Sequence, residues 1–216
     1  MLTPSRMSHV KPSVNPHQSA VFIDKDGTLL EDVPYNVDPQ QMRFAPGACE
    51  ALCALACCPF KLIVISNQSG VALGRFDIGA LDVVEAKLRA MFASCGATLD
   101  GVYWCPHHPE GSVPTYAQSC DCRKPAPGML LRAAREHGID LGTSWFVGDI
   151  LDDVEAGNVA GCKTILLDNG HETVWRHTQT RVPTAYARDL HRAALMILQY
   201  HEKCSASASD LSGQAA

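Results

Sequence analysis

The chain has 216 residues, 46% hydrophobic and 19% charged, a length and balance suited to one domain that buries a core of its own. A formal charge of −5 with no long basic run excludes a broad electrostatic grip on nucleic acid or anionic lipid, so any anion must be held locally. The apolar runs 61–66 and 164–167 are far shorter than the roughly 20 residues a membrane-spanning helix needs, and they read as buried strands.

Residues 1–19 hold Pro4, Pro12 and Pro16 among polar residues and lack the continuous apolar stretch of a secretory signal. They are expected to form a disordered tail on a cytoplasmic protein. The apolar run 20–23 predicts the first strand, followed directly by Asp24-Lys25-Asp26-Gly27-Thr28. A helix over 47–57 comes after Pro46. A second buried strand, 62–65, runs into Ser66-Asn67-Gln68-Ser69-Gly70, and a long helix is expected over 78–94. The third strand, 102–104, is followed by Cys105. Pro127 suits a first helical turn and opens a helix over 127–137. A fourth strand, 145–147, ends at Gly148-Asp149. A helix over 152–160, a fifth strand over 164–167 and a last helix over 187–199 complete the domain, 20–204. The Ser- and Ala-rich stretch 205–216 has too few large apolar residues to offset the entropy of ordering and is expected to be a solvated tail.

Strands alternating with helices predict an α/β fold, a doubly wound, Rossmann-like parallel sheet that takes ligands at the carboxyl ends of its strands. Only 17 residues separate Thr28 from Pro46, too few for a separate cap domain. The polar residues should therefore follow the strands, and they do: Asp24 and Asp26 after the first, Ser66 and Asn67 after the second, Asp149 after the fourth.

Each of these segments alone has a bland reading, as an acidic turn, a polar helix start or a surface basic pair. A calcium loop is excluded, because Leu29 and Tyr35 stand where its Gly and Glu are needed. Together the segments meet the needs of phosphate-ester hydrolysis: a nucleophile, a proton donor for the leaving oxygen, and positive charge against the phosphoryl oxygens. Asp24 can attack phosphorus, and Asp26 can protonate the leaving alkoxide. Ser66 and Asn67 offer donors to phosphoryl oxygens, and Arg123 and Lys124 supply positive charge. Mg2+, which favours carboxylates with substrate oxygens and waters, fits Asp24, the Asp26 carbonyl and Asp149.

Ten cysteines in a chain without an export signal are expected to be thiols or metal ligands rather than a disulfide framework. Cys49, Cys53 and Cys57 recur every four residues and are expected to be small buried hydrophobes on one helix face. Cys58, Cys95, Cys162 and Cys204 sit singly. Cys105, His107, Cys120 and Cys122 form C-x-H and C-x-C pairs, a Cys3His set for structural tetrahedral Zn2+ in a loop over 105–122. His108 is expected to face solvent.

On these residues the chain resembles the haloacid dehalogenase-like phosphatases, whose four motifs match Asp24-Lys25-Asp26-Gly27-Thr28, Ser66-Asn67, Lys124, and Gly148-Asp149 with Asp153, from about residue 20 to 167. The resemblance implies catalytic roles for Asp24, Asp26, Ser66 and Lys124, with Mg2+ at Asp24, Asp26 and Asp149. Within the family the chain is similar to the branch that removes one phosphate from a heptose bisphosphate in making precursors of bacterial surface glycans. Asn67-Gln68-Ser69-Gly70-Val71-Ala72, Cys105-Pro106-His107-His108-Pro109-Glu110-Gly111 and Cys120-Asp121-Cys122-Arg123-Lys124-Pro125 carry that likeness. It implies a small phosphorylated sugar as substrate, contacted by Asp32, Val33, Pro34, Tyr35, Asn67, Gln68, Ser69 and Arg123, and a monomeric protein. Ile150 stands where that branch commonly has lysine, and Leu73 replaces a usual basic residue two positions before Arg75. The related histidinol-phosphate phosphatases have a shorter loop between the zinc pairs and Asp where this chain has Ser69. A non-catalytic zinc-stabilised binding module for nucleic acid is disfavoured by the overall acidity.

Overall fold

The computed structural model describes residues 18–176 and 178–212, with side chains described outside 205–212. Six strands, β1 (Ala20–Asp24), β2 (Lys61–Asn67), β3 (Gly101–Cys105), β4 (Trp145–Gly148), β5 (Lys163–Leu167) and β6 (Ala185–Ala187), pair in parallel in the order β3-β2-β1-β4-β5-β6. β1 is central and buried at all five positions. Its side chains alternate: Val21 and Ile23 enter one apolar layer, Ala20 and Phe22 the other, as the period of two in a strand requires.

Helices α1 (Ala48–Leu55), α2 (Ala80–Ser94) and α5 (Leu190–Ser212) cover the first layer with residues such as Leu52, Leu88, Phe92 and Ile197. Helices α3 (Gly128–His137) and α4 (Leu151–Ala160) cover the second with Met129, Leu130, Ala133 and Ala156. Eight residues are too few for an isolated helix in water. α1 is held by tertiary packing, since Leu52 and Leu55 are fully buried and each contributes roughly 1.5–3 kcal/mol.

All five expected strands and all five expected helices are present, with shifted ends. β6 was not foreseen; three residues, Ala185 to Ala187, are too few to show a period, and they become a strand by pairing with Ile165, Leu166 and Leu167. The last helix consequently begins at Leu190 rather than 187, and its backbone runs to Ser212, overlapping the stretch expected as a tail. Gln18 bridges to Ile139 and the Ser19 hydroxyl donates to Thr143, so these two residues join the domain. The expected tails at 1–17 and 213–216 lie outside the described residues.

The cysteine expectations need correction. Cys49 and Cys95 are joined as a disulfide, while Cys53 and Cys57 are exposed rather than buried. The reason is local: Ala48, Ala51, Leu52 and Leu55 carry the buried stripe of α1, which leaves 49 and 53 on its flank, and the helix ends before 57. The connection 31–43 holds turns but no helix or strand, in keeping with an uncapped sheet. Among the described residues no helix is long and apolar enough to cross a membrane.

Gly157 on α4 shows which effect governs packing near β5. A Cβ added there would lie 2.4 Å from Thr164 Cγ2 and 3.2 Å from Phe146 Cβ. Helix propensity alone favours alanine over glycine by about 1 kcal/mol, but overpacking a filled core costs about 1–3 kcal/mol. Gly157→Ala is expected to lower stability in urea denaturation; a stabilised variant would show that α4 can move off the sheet.

Candidate active site

β1 and β4 are neighbours where the strand order reverses, the crevice at which open α/β sheets take ligands. Asp24 ends β1 and Asp149 follows β4, and the pairing of Ile23 with Val147 brings both to one edge. A cleft of about 240 Å3 opens there, lined by Asp24, Asp26, Asp32, Ser66, Asn67, Lys124, Asp149, Ile150 and His171.

Its floor is a buried charge cluster. Lys124 Nζ touches Asp24 Oδ1 and lies 2.5 Å from Asp153 Oδ1. Burial pushes the Asp24 carboxyl up to about 7, with Lys124 opposing the rise and Asp153 adding to it. Burial likewise lifts Asp149 to about 6, helped by the charge of Asp24, and raises Asp153. Lys124 is itself disfavoured as a cation by burial, but Asp153 and Asp24 outweigh that and hold it charged.

Asp24, Asp149 and Asp153 offer oxygens within 4.8 Å of one another. One ammonium cannot balance three carboxylates. Among the described residues, Asp153 Oδ1 meets no polar group other than the Lys124 ammonium, which it shares with Asp24. Hard carboxylate oxygens with surplus negative charge are the donor set of a hard dication such as Mg2+. The residues present therefore fit that ion.

The surrounding side chains hold one another in place. Asp26 is only partly buried; it pairs with buried Lys25 and accepts from Gln68 Nε2 at 3.1 Å. Gln68 Nε2 also donates to the Ser66 hydroxyl at 2.9 Å. Gln68, expected against substrate, is thus buried behind Asp26 and Ser66. Asn67 accepts from the Lys124 amide at 3.0 Å and donates to the Lys124 carbonyl at 3.1 Å. It clamps the backbone that carries the lysine, while still lining the cleft. Asp32 reaches the lining; Val33, Pro34, Tyr35, Ser69 and Arg123 do not. Tyr35 is exposed in a left-handed conformation (φ 55°), with the Arg75 guanidinium 5.6 Å over its ring.

Several residues escaped the sequence reading. The Thr28 hydroxyl donates to Asp149 Oδ1 at 3.1 Å, and His171 Nδ1 lies 2.7 Å from Asp149 Oδ2. Asn169 Nδ2 donates to the Gly27 carbonyl at 2.8 Å, and Glu172 Oε2 accepts from the Leu151 amide at 2.7 Å, at the start of α4. The loop after β5 is thereby tied to both acidic turns. Only the polar run Asp168-Asn169-Gly170-His171-Glu172 after a strand could have signalled it. Gly27 is required twice over, by its φ of 78° and because a Cβ would fall 2.1 Å from Asp149 Oδ2.

Cys105, His107, Cys120 and Cys122 converge at the end of β3, with ligand atoms within 4.8 Å of one another. Their S···S and S···N separations run from 3.2 to 3.8 Å. Ligands about 2.3 Å from a tetrahedral zinc are roughly 3.7 Å apart, so the set is of the right size for that ion. Burial pushes the Cys105 and Cys122 thiols up; Cys120 is also buried in part, yet hydrogen bonds from Cys122 and the Arg123 amide hold it below the ordinary thiol. A dication would replace the protons these sulfurs contend for. Arg123 Nη1 donates to the His107 carbonyl at 3.3 Å, which joins the cluster to the residue before Lys124. His108 lies outside the cluster.

Residues 121–193 match the HAD-hydrolase-like family. The D-glycero-beta-D-manno-heptose-1,7-bisphosphate 7-phosphatase of Pasteurella multocida is 43% identical over 154 residues, 71% of this chain and 83% of that protein. The protein of the same name from Escherichia coli K12 is 40% identical over 148 residues, 68% and 78% of the two chains. Among solved structures, the D,D-heptose 1,7-bisphosphate phosphatase of B. bronchiseptica, complexed with magnesium and phosphate, superposes with a TM-score of 0.71 at 29% identity, over 85% of this chain and 99% of that one.

The charge cluster makes a prediction about stability. Lys124→Met would leave Asp24 and Asp153 buried without their shared cation, at a cost of about 3–5 kcal/mol. Without the lysine the folded-state values of both carboxyls rise above their wild-type ones, so the loss relative to wild type grows as pH climbs through the wild-type Asp24 value of about 7. Urea denaturation in a chelator should show a larger deficit at pH 8 than at pH 5.5; a deficit independent of pH would remove the lysine from this role.

Proposed function

The chain belongs to the family of the D-glycero-beta-D-manno-heptose-1,7-bisphosphate 7-phosphatases, within the HAD-like hydrolases, and from that premise we propose that it removes the 7-phosphate of a heptose 1,7-bisphosphate through an aspartyl-phosphate on Asp24. The observation that carries this reading is the convergence of Asp24, Asp26, Lys124 and Asp149 in one cleft at the strand switch point.

In this account an Asp24 oxygen attacks phosphorus in line with the departing sugar oxygen. Asp26, held by Lys25 and Gln68 but still partly exposed, delivers the proton to that oxygen. It then takes a proton from the water that hydrolyses the aspartyl-phosphate, which returns Asp24 to its starting state. Asp24, Asp149 and the Asp26 carbonyl would hold Mg2+, which would supply the positive charge that lets an anionic nucleophile meet an anionic ester. Lys124 keeps Asp24 in place and offers its ammonium to the phosphoryl oxygens, joined by the Ser66 hydroxyl and Asn67. Asp32, which lines the cleft, is proposed to contact the sugar, and Arg123, Val33, Pro34, Tyr35 and Ser69, which lie outside that lining, would have to meet the part of the substrate that extends beyond it. Cys105, His107, Cys120 and Cys122 would hold Zn2+ and, through the Arg123 contacts to Cys120 Sγ and the His107 carbonyl, would fix the path of the chain into Lys124. A cytoplasmic, monomeric enzyme completes the proposal.

The test is a phosphate-release assay with added Mg2+ over the α and β heptose 1,7-bisphosphates and histidinol phosphate. The relatives are named for the β anomer, and that compound should be the best substrate. Preference for histidinol phosphate would sink the assignment. Asp24→Asn should lower turnover by roughly a thousandfold or more while the thermal unfolding profile is kept; activity near the wild-type level would exclude Asp24 as nucleophile.

His171 acts through Asp149 as a positioning residue. Losing a hydrogen-bond partner of a metal-binding carboxylate weakens metal affinity about 10–100-fold. Titration calorimetry of His171→Ala with Mg2+ in the absence of substrate should show that loss, with partial recovery in His171→Asn. Unchanged Mg2+ affinity would assign the contact to loop packing alone.

A further inference from the structure

A second group of sulfurs lies away from the cleft. Cys49 and Cys53 stand one turn apart on α1, and Cys95 follows the last residue of α2. Cys49 and Cys95 form the disulfide, and the three Sγ atoms lie within 4.8 Å of one another. Cys53 is a free thiol, exposed, with its Sγ 3.0 Å from the Cys95 carbonyl oxygen. Cys95 itself is 5% exposed.

The placement grades access to the sulfurs. Cys95 is buried, Cys49 is partly buried and Cys53 is exposed, so a solvent-borne thiol meets Cys53 most readily, and Cys53 is within reach of both sulfurs of the disulfide. Thiol–disulfide exchange needs a thiolate, a target sulfur and a path between them. The Cys53 thiol and the Cys49–Cys95 bond place the attacking and target sulfurs within reach of each other. We propose that Cys53 is the exchange thiol of a Cys49–Cys53–Cys95 centre, through which a small-molecule thiol opens and closes the cross-link between α1 and the end of α2.

The exchange balances without an added oxidant. The Cys53 thiolate attacks Cys95 Sγ, a Cys53–Cys95 bond forms, the Cys49–Cys95 bond breaks, and Cys49 leaves with the electron pair and takes up the proton that Cys53 released. The new disulfide has one sulfur on an exposed residue. A small thiol of the glutathione class then attacks Cys53 Sγ and releases Cys95 as a thiol. A second thiol molecule attacks the mixed disulfide, freeing Cys53 and leaving as the small-molecule disulfide. Two electrons have passed from the two small thiols to the protein. Closure is the reverse sequence with that small disulfide as oxidant.

The centre sits at the opposite end of the sheet from the cleft. Cys95 precedes Asp100, whose carboxylate accepts from the Leu62 amide near the start of β2, whereas Asp24 and Asn67 mark the carboxyl ends of β1 and β2. Exchange is therefore separable from phosphate release, and Cys53→Ser should leave turnover unchanged.

The experiment uses the full chain purified without reductant. Alkylation, digestion and mass spectrometry should find Cys53 alkylated and Cys49 linked to Cys95. On addition of reduced glutathione, the cross-link should open about tenfold or more slowly in Cys53→Ser than in wild type, with Cys57→Ser as an unaffected control. Cys53→Ala repeats the test should the serine variant fail to fold. Quenching the wild-type reaction with acid should trap a Cys53–Cys95 or Cys53–glutathione species. Equal opening rates in wild type and variant overturn the proposal, as does free alkylation of both Cys49 and Cys95 in the starting protein. Zinc content should be one equivalent per chain, at Cys105, His107, Cys120 and Cys122, in wild type and variant alike. A second equivalent that disappears in Cys53→Ser would make the three sulfurs a metal site and overturn the exchange mechanism.

Discussion

The site depends on a lysine held between two buried carboxylates. Lys124 touches Asp24 and Asp153, and all three side chains are nearly inaccessible. Charges removed from water are tolerated only when each is met by an opposite one, and here one ammonium faces the three carboxyls of Asp24, Asp153 and Asp149. Burial raises Asp24 and Asp149 toward neutrality. A dication bound by these carboxylates would supply the positive charge that one lysine cannot.

That lysine cannot be placed by its own side chain. Asn67, at the end of β2, binds both the amide and the carbonyl of residue 124 and so couples the polar turn after β2 to the segment that carries the lysine. The Cys105, His107, Cys120 and Cys122 cluster grips the same segment from the other side, through the Arg123 contacts to Cys120 Sγ and the His107 carbonyl. A charged side chain on an irregular loop is positioned here by two independent anchors, as accurate placement of a reacting group demands.

The opposite wall shows the same economy. The loop after β5 has no regular structure at Asn169 to Glu172, yet it bonds Gly27, Asp149 and Leu151 in turn. Its root is locked to β1 and α4, and the absence of a helix or strand in 31–43 leaves the mouth of the cleft open. A site without a cap relies on such loops to shape it, which suits a small polar substrate recognised at its edges.

Much of this was legible in the residue order. Alternating buried strands and helices predicted the doubly wound sheet, because a two-sided parallel strand must be apolar along its whole length, and Asp24, Ser66 and Asp149 stood where chains leave such strands. The convergence of Cys105, His107, Cys120 and Cys122 was legible because two closely spaced pairs on either side of one loop can be brought together by the loop closing on itself. β6, the exposure of Cys53 and Cys57, the Cys49–Cys95 bond, the retreat of Gln68 behind Asp26, and the contacts of Asn169 and His171 were not. Each is decided by partners 20 or more residues away or by which flank of a short helix meets the sheet, as with β6 and β5, Asn169 and Gly27, or Gln68 and Asp26. The sequence by itself determined the period of the elements and the chemistry at their ends, since both arise from neighbours along the chain. Only the tertiary structure decided which of those end groups share a buried volume, because burial, and the charge balance that follows from it, belongs to elements brought together from distant parts of the chain.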